Sequence, residues 1–291
     1  MSQTIGALLR RAVSDLERRG ISEPRAAAEV LMADLLDLPR LSLFLETHRV
    51  LSPPQRDAYA ARIQCRLQGE PVQYIIGRQE FRSLSFTVNA AVLIPRPETE
   101  LLVEHGVNYA RQWSSSHASA IDLIDIGTGS GNIAVSFARA VPQSQVWGVD
   151  ISWEALRVAR ANAQHHAVAH RARWIQGDLL TPIRDIIPRF TLCTANLPYV
   201  TAAEWAQLPR DIKAYEPALA LCGGEDGLDL IRRCIVMSPR VLVPGGMLLL
   251  EVGWQQAQMA MALLQAQDAF AEVGVEQDLA GIDRVVWGRK R

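Results

Sequence analysis

The apolar positions of the first seventy or so residues recur with helical spacing. Ile5, Leu8, Leu9, Ala12, Val13 and Leu16 fall on one face of a helix that Gly20 is placed to end. Ala28, Leu31, Met32, Leu35 and Leu36 form a second helical face, with Ser22 expected as its cap ahead of Pro24 and Leu38-Pro39 at its close. A short segment around Leu41, Phe44 and Leu45 leads to Ser52-Pro53-Pro54, after which Tyr59, Ile63 and Leu67 mark a third helix closed by Gly69. The pattern then changes. Tyr74-Ile75-Ile76 and the run from Leu84 to Val88 read as short strands, a hairpin linker. IPRPETE, from Ile94 to Glu100, opens a helix carrying Leu101, Leu102 and Val103, and Ser114-Ser115-Ser116-His117 reads as a surface loop.

From Ile121 onward strand-like runs alternate with helix-like ones. IDLIDI precedes a glycine-rich turn and a helix to Arg139, and VWGVDI precedes a helix over 153–165; further strands are expected at 172–175, 190–194, 247–252 and 284–287. Such alternation predicts an α/β domain, a mostly parallel sheet wrapped by helices. Ligands of these sheets sit at the carboxyl ends of the strands. The expected organisation is a small all-helical N-terminal domain (1–72), a β-hairpin linker (73–93) and the α/β domain (94–291).

Bulk properties narrow the function classes. Hydrophobic residues make up 49% of the 291-residue chain, ample for a buried core. Thirty basic and 31 acidic residues give a net charge of -1, which excludes a global positive field of the kind that concentrates a protein on nucleic acid. Cys65, Cys193, Cys222 and Cys234 lie far apart with no C-x-x-C pair, so free thiols in a reducing compartment and no metal are expected. The amphipathic start, MSQTIGALLRRAV, lacks the apolar core of a secretory signal, and no run reaches the roughly 20 apolar residues of a membrane helix. A cytoplasmic protein without a membrane partner, a monomer, is the expectation.

Gly127-Thr128-Gly129-Ser130-Gly131 follows a strand and opens a helix, where glycine permits a tight turn and close approach to a ligand. The spacing departs from the G-x-G-x-x-G of a dinucleotide site. Asp150 ends the next strand about 20 residues on, where a carboxylate accepts from both ribose hydroxyls. Asp178 follows the next strand, suited to an adenine amino group, with Leu179 packing on the base. Taken singly, each aspartate could instead be a solvated helix cap, the weaker reading, and their joint recurrence at strand ends weakens it further. Nothing in the loop supplies extra donors or an arginine for phosphate, so an adenosine with an amino-acid tail, S-adenosylmethionine, suits it better than NAD.

Asn196-Leu197-Pro198-Tyr199 follows the 190–194 strand on the same ligand-binding edge. A planar amide or exocyclic amine has a delocalised lone pair and attacks a sulfonium methyl well only when both its N–H groups are held. The Asn196 oxygen and the carbonyl of Leu197 can accept those bonds while Tyr199 stacks on the planar group. The acceptors favour charge growing on nitrogen, and no strong base is required. Standing alone, an N-x-P-Y run is as readily a simple turn.

Over essentially its whole length the chain resembles the release-factor glutamine N5-methyltransferases, the PrmC/HemK family. The resemblance rests on PVQYIIGRQEF (71 to 81), VLIPRPETELLVE (92 to 104), DIGTGSGNIAV (125 to 135), VDIS (149 to 152), EPALALCGGEDGLDL (216 to 230), PGGMLLLEVGWQQ (244 to 256) and DLAGIDRVV (278 to 286). It implies a Rossmann-like class I S-adenosylmethionine-dependent methyltransferase domain with a late antiparallel strand in its mostly parallel sheet, S-adenosylhomocysteine as the product, and a helical N-terminal domain that grips the protein substrate. The implied substrate is the glutamine of the Gly-Gly-Gln motif in class 1 peptide chain release factors. It further implies that Gly127 to Gly131, Asp150, Asp178, Leu179 and Asn196 contact the cofactor, and that Asn196 through Tyr199 bind the glutamine. Arg96, Pro97, Glu98 and Thr99 lie near the site, with Arg96 and Glu98 expected on the substrate.

Two positions depart from the family. Leu197 replaces the first proline of N-P-P-Y, keeping the carbonyl but losing the fixed φ. Thr191 stands where aspartate is frequent. N-L-P-Y is also the form common among adenine N6 methyltransferases of ribosomal RNA, which keeps a nucleic-acid substrate as an alternative, one requiring a flipped base. The ribosomal-protein glutamine methyltransferases are a second alternative, but they carry a V-P-R-S-P type segment where this chain has IPRPETE.

Overall fold

The computed structural model describes residues 3–117, 120–183, 185 and 189–291. By their contacts these residues divide into two compact units, one of residues 1–78 with 209–215, the other of residues 79–208 with 216–291.

The first unit is helical. Helix α1 (Ile5–Arg18) starts at Thr4, whose side chain accepts from the Ala7 N–H. In α2 (Pro24–Leu36) the expected cap at Ser22 gives way to Glu23, which sits at φ 49° with no side-chain capping bond. The proline ring explains this: it disfavours helical geometry in the residue before it while its own fixed φ begins the helix. Helix α3 (Pro53–Leu67) opens on a capping box in which Ser52 N–H donates to Gln55 Oε1 at 3.1 Å. Ile5, Leu16, Leu31 and Met32 are fully buried between these helices, and the Tyr59 hydroxyl donates to the Ala28 carbonyl at 3.1 Å. Residues 74–76, expected as a strand, belong instead to a short helix, α4 (Val72–Ile76), held between Pro71 and a left-handed Gly77 at φ 75°. Their branched side chains suit a strand, yet Val72, Ile75 and Ile76 pack on the helical core, and packing overrides propensity.

The second unit begins with a hairpin, β1 (Arg78–Phe81) and β2 (Leu84–Thr87), which starts later than the sequence suggests. Its turn residues Arg82 and Ser83 both have positive φ, and the Arg82 N–H donates to Glu100 Oε1 at 2.8 Å. Helix α5 (Thr99–Ser116) runs through the serines expected as a loop, which lie exposed on its last turn. Next come β3 (Asp122–Ile126), α6 (Asn132–Ala140), β4 (Gln145–Asp150), α7 (Trp153–His165), β5 (Ala172–Gln176) and β6 (Phe190–Ala195). Two short helices, α8 (Ala202–Gln207) and α9 (Arg210–Tyr215), follow, the second belonging to the first unit, where Asp211 meets Arg66 at 3.6 Å. The chain ends with α10 (Asp229–Met237), β7 (Leu242–Glu251), α11 (Ala257–Gln265), β8 (Phe270–Gln277) and β9 (Asp283–Lys290).

The sheet order is β5-β4-β3-β6-β7-β9-β8, parallel as far as β7, with β9 antiparallel to both of its neighbours. Alternating side chains send Leu123, Val146, Leu192 and Leu249 toward α5 and α6, and Ile124, Cys193, Leu248 and Leu250 toward α10 and α11. The chain runs outward from β3 to β5 and then returns to β6 on the other side of β3. This reversal makes a crevice at the carboxyl ends of β3 and β6.

Gly148 in β4 shows how tightly the sheet is packed beneath the glycine loop. A Cβ there would lie 2.4 Å from the Trp174 ring and 2.9 Å from the Thr128 methyl group. We expect Gly148→Ala to lower unfolding free energy by about 1–3 kcal/mol, the usual cost of overpacking, read as a lower urea midpoint with unchanged slope.

Candidate active site

The crevice holds a cavity of about 320 Å³. The glycine loop forms one wall. Its backbone turns back on the sheet through Gly127 and Thr128 N–H bonds to the Val149 carbonyl, at 2.8 and 3.0 Å. Gly127, Gly129 and Gly131 all have positive φ, a conformation that other residues adopt only under strain. Beneath the loop lies Asp125, fully buried, accepting from the Thr128 hydroxyl at 2.6 Å and the Thr194 hydroxyl at 2.9 Å. Burial pushes its pKa up to about 7 against those two bonds. Asn162 of α7, also fully buried, accepts from Thr87 N–H at 2.8 Å and donates to the Ser130 carbonyl at 2.9 Å, tying the end of the hairpin to the loop. Neither role was foreseen from the sequence, although both residues are polar groups inside apolar runs.

Asp150 lines the cavity beside the loop. Its Oδ2 accepts from Gly129 N–H and its Oδ1 from Ser152 N–H, each at 2.9 Å. Burial raises its pKa, and the backbone donors oppose the rise. Each oxygen retains a lone pair, so the carboxylate can still receive a vicinal diol. Asp178 and Leu179 line the far end. Leu179 is buried at φ 50°, a left-handed geometry costing a leucine about 1–2 kcal/mol. The arginine missing from the loop arrives from a distant segment: Arg233 of α10 lines the cavity and pairs with Asp178 at 2.6 Å. Both side chains are about half exposed, so the pair adds little to stability.

Asn196, Leu197 and Pro198 form the wall nearest β6. Asn196 Nδ2 donates to the Thr99 hydroxyl at 3.0 Å. Leu197 is only 3% exposed, packed in the core with its side chain against Gly127. The Gly223 segment closes behind the loop: Val200 N–H donates to the Leu221 carbonyl and Gly223 N–H to the Val200 carbonyl, both at 2.9 Å, and a Cβ on Gly223 would lie 2.5 Å from the Pro198 carbonyl. Arg96 also lines the cavity, held by Glu216, a buried carboxylate that accepts from Arg96 Nη2 at 2.5 Å and from Ile94 N–H at 3.3 Å.

Three expected site residues stand apart from the cavity wall among the described residues. Gly131 lies behind the loop against Ala159 and Trp174. Glu98 is exposed at the start of α5. Tyr199 is half-buried, its carbonyl accepting from Gln256 at 3.0 Å; burial and the nearby Glu251 carboxylate push its hydroxyl pKa up to about 12. Among the described residues no group of His, Cys, Asp and Glu side chains is arranged to hold a metal ion, and no helix is long and apolar enough to cross a membrane. All four cysteines are free.

Family models match in two places, a PrmC N-terminal domain at residues 7–77 and a methyltransferase domain at residues 123–215. The release factor glutamine methyltransferase of Chlorobaculum tepidum is 38% identical over 95% of this chain and 94% of its own length. That of Moorella thermoacetica is 38% identical over 99% of each chain. The chain belongs to the release factor glutamine methyltransferase family. Solved structures with lower identity share its fold: a Pyrococcus furiosus methyltransferase at TM-score 0.52 and 13% identity, covering 79% of this chain and 97% of that one, and the hMettl16 catalytic domain bound to an RNA hairpin at TM-score 0.54 and 14% identity, covering 81% and 82%.

The donor set fits the cofactor of such a methyltransferase. Asp150 offers free lone pairs for a ribose, Asp178 and buried Leu179 offer an acceptor and an apolar face for a base, and the left-handed loop lets a ligand come close to the backbone.

Proposed function

We propose that this chain transfers a methyl group from S-adenosylmethionine to the N5 side-chain amide nitrogen of the glutamine in the Gly-Gly-Gln motif of class 1 peptide chain release factors, leaving S-adenosylhomocysteine. The cofactor supplies an electrophilic methyl group on a sulfonium. The observation that carries the reading is the convergence of Asn196, Leu197 and Pro198 with the glycine loop and Asp150 on one cavity, in a chain similar along its length to enzymes named for this reaction.

The protein's part is largely positioning. Asn196 Oδ1 and the Leu197 carbonyl accept the two N–H bonds of the substrate amide, fixing its plane and favouring the positive charge that grows on nitrogen. Tyr199 stays neutral and contributes a planar face. Arg96, anchored by Glu216, and Glu98 at the start of α5 are charged groups for the peptide flanking the glutamine. Asp150, Asp178, Leu179 and residues 127–130 hold the cofactor, and Gly131 shapes the loop from behind. The helical unit grips the body of the release factor, and Leu41, Phe44 and Leu45, exposed along one turn, are apolar surface suited to a protein contact. The reading takes the enzyme as a cytoplasmic monomer that needs neither metal nor nucleic acid.

Incubation with methyl-labelled S-adenosylmethionine and a purified release factor should place label on the protein, and changing the glutamine of its Gly-Gly-Gln motif to alanine should abolish labelling. Label that persists in the alanine variant, or that appears only on RNA or on a ribosomal protein, would sink the proposal.

A further inference from the structure

Glu251, the last residue of β7, is 2% exposed and lies against Thr99 and Asn196. Burial pushes its pKa up to about 7; the Thr99 hydroxyl, Arg284 and the Asn196 amide pull it down, and the Glu98 carboxylate pushes it further up. Its Oε2 has no hydrogen-bond partner among the described residues. A buried carboxylate so poorly satisfied costs stability, which makes its presence beside the acceptor site informative.

The chemistry of the three groups fixes a direction. An ionised carboxylate only accepts, so the Thr99 proton turns toward Glu251. The Thr99 oxygen then accepts from Asn196 Nδ2, the 3.0 Å bond observed, and the whole NH₂ end of Asn196 faces inward. Oδ1 is left for the cavity that Asn196 lines. With a proton on the Glu251 oxygen that faces Thr99 the chain reverses: the acid donates to Thr99, Thr99 donates to the amide oxygen, and the NH₂ end swings outward. Two N–H donors would then face each other across the site.

We propose that ionised Glu251 is a positioning residue that, directly and through Thr99, holds the Asn196 amide with its oxygen toward the substrate; this rests on reading Asn196 as the acceptor of the glutamine N–H groups. Charged and titratable groups face Glu251 from three elements: Glu98 at the start of α5, Arg284 of β9, and Tyr199 beyond β6. Arg284 is shared with Asp278 at 3.0 Å.

The test is the pH profile of kcat on a release factor, measured with the full chain between about pH 5.5 and 8.5. Wild-type kcat should fall roughly tenfold per pH unit below a limb at or under about 7. Glu251→Gln should lower kcat by up to about 100-fold, the cost of a misplaced reacting group, and flatten the limb while leaving equilibrium cofactor binding intact. Thr99→Val should cost a smaller factor, because the direct bond from Asn196 to Glu251 remains, Thr99→Ser should restore it, and the Glu251→Gln/Thr99→Val double variant should lose less than the product of the single losses, because both residues act on one amide. A flat wild-type profile, a Glu251→Gln enzyme with wild-type kcat and limb, or additive losses would overturn the proposal. The Thr99 pair and the wild-type limb carry the test if Glu251→Gln does not fold. A wild type inactive on every release factor would instead sink the functional reading on which this inference stands.

Discussion

Asn196→Ala should reduce methyl transfer to a release factor by about 10²–10³-fold in kcat, the loss expected when one preorganised hydrogen-bonding group is removed from a reacting centre. The fold should survive. Leu197 is buried independently of the asparagine, and the chain beyond it is pinned by the backbone bonds between Val200, Leu221 and Gly223. The substitution removes donors to the Thr99 hydroxyl and to the Glu251 carboxylate, and a single neutral bond from Asn196 to the cofactor would be worth about 0.5–1.5 kcal/mol, so cofactor affinity should change by less than about tenfold. Single-turnover transfer measured beside equilibrium binding separates the two effects. Near-normal turnover would mean that the acceptor amide is held elsewhere.

Much of this site could be read from the chain because its parts are local. The glycine loop, Asp178 and Asn196 each follow a strand and Asp150 ends one, and the central strands announce themselves: 190–195 is buried at every position, whereas the edge strand β5 is only partly buried. Helix α7 runs over the 13 residues that its apolar spacing marks. What escaped was set by long-range packing. Residues 74–76 are helical because they fill the core of the first unit, and Ser114 to Ser116 continue α5 although their composition suits a loop. Strand β8 was missed because it is an edge strand, with Ala271 and Glu272 exposed and only Phe270 fully buried, so it lacks the apolar run of its neighbours. Glu251 reads as the end of an apolar strand, and Glu216 as part of a loop. Only the fold brings the first to Asn196 and the second to Arg96, across 120 residues of chain. Nor could the sequence show that Leu197, where the family has a proline, is buried against Gly127.

Asp150→Ala should weaken S-adenosylmethionine binding on the order of 100-fold, from two lost bonds to an ionised acceptor at about 1.5 kcal/mol or more each. The expected effect on folding is much smaller, and its sign follows from linkage. Burial raises the folded-state pKa of Asp150 above its unfolded value, so between those two values the native state binds more protons than the unfolded chain. The ionised side chain therefore costs stability at neutral pH, and the cost is relieved as pH falls through the folded pKa. Removing the carboxylate removes that penalty and leaves the Gly129 and Ser152 N–H groups to other partners, so the two contributions oppose each other. The variant should melt within a few degrees of the wild type at pH 7 in the absence of cofactor, and its Tm should rise less on acidification toward pH 5. It should also gain much less from saturating cofactor, because ligand stabilisation scales with affinity. Calorimetric melting at two pH values, with and without S-adenosylmethionine, reads all three. A variant that binds the cofactor as tightly as the wild type would remove Asp150 from the ribose site, and one that unfolds at neutral pH would make it a structural residue of the loop.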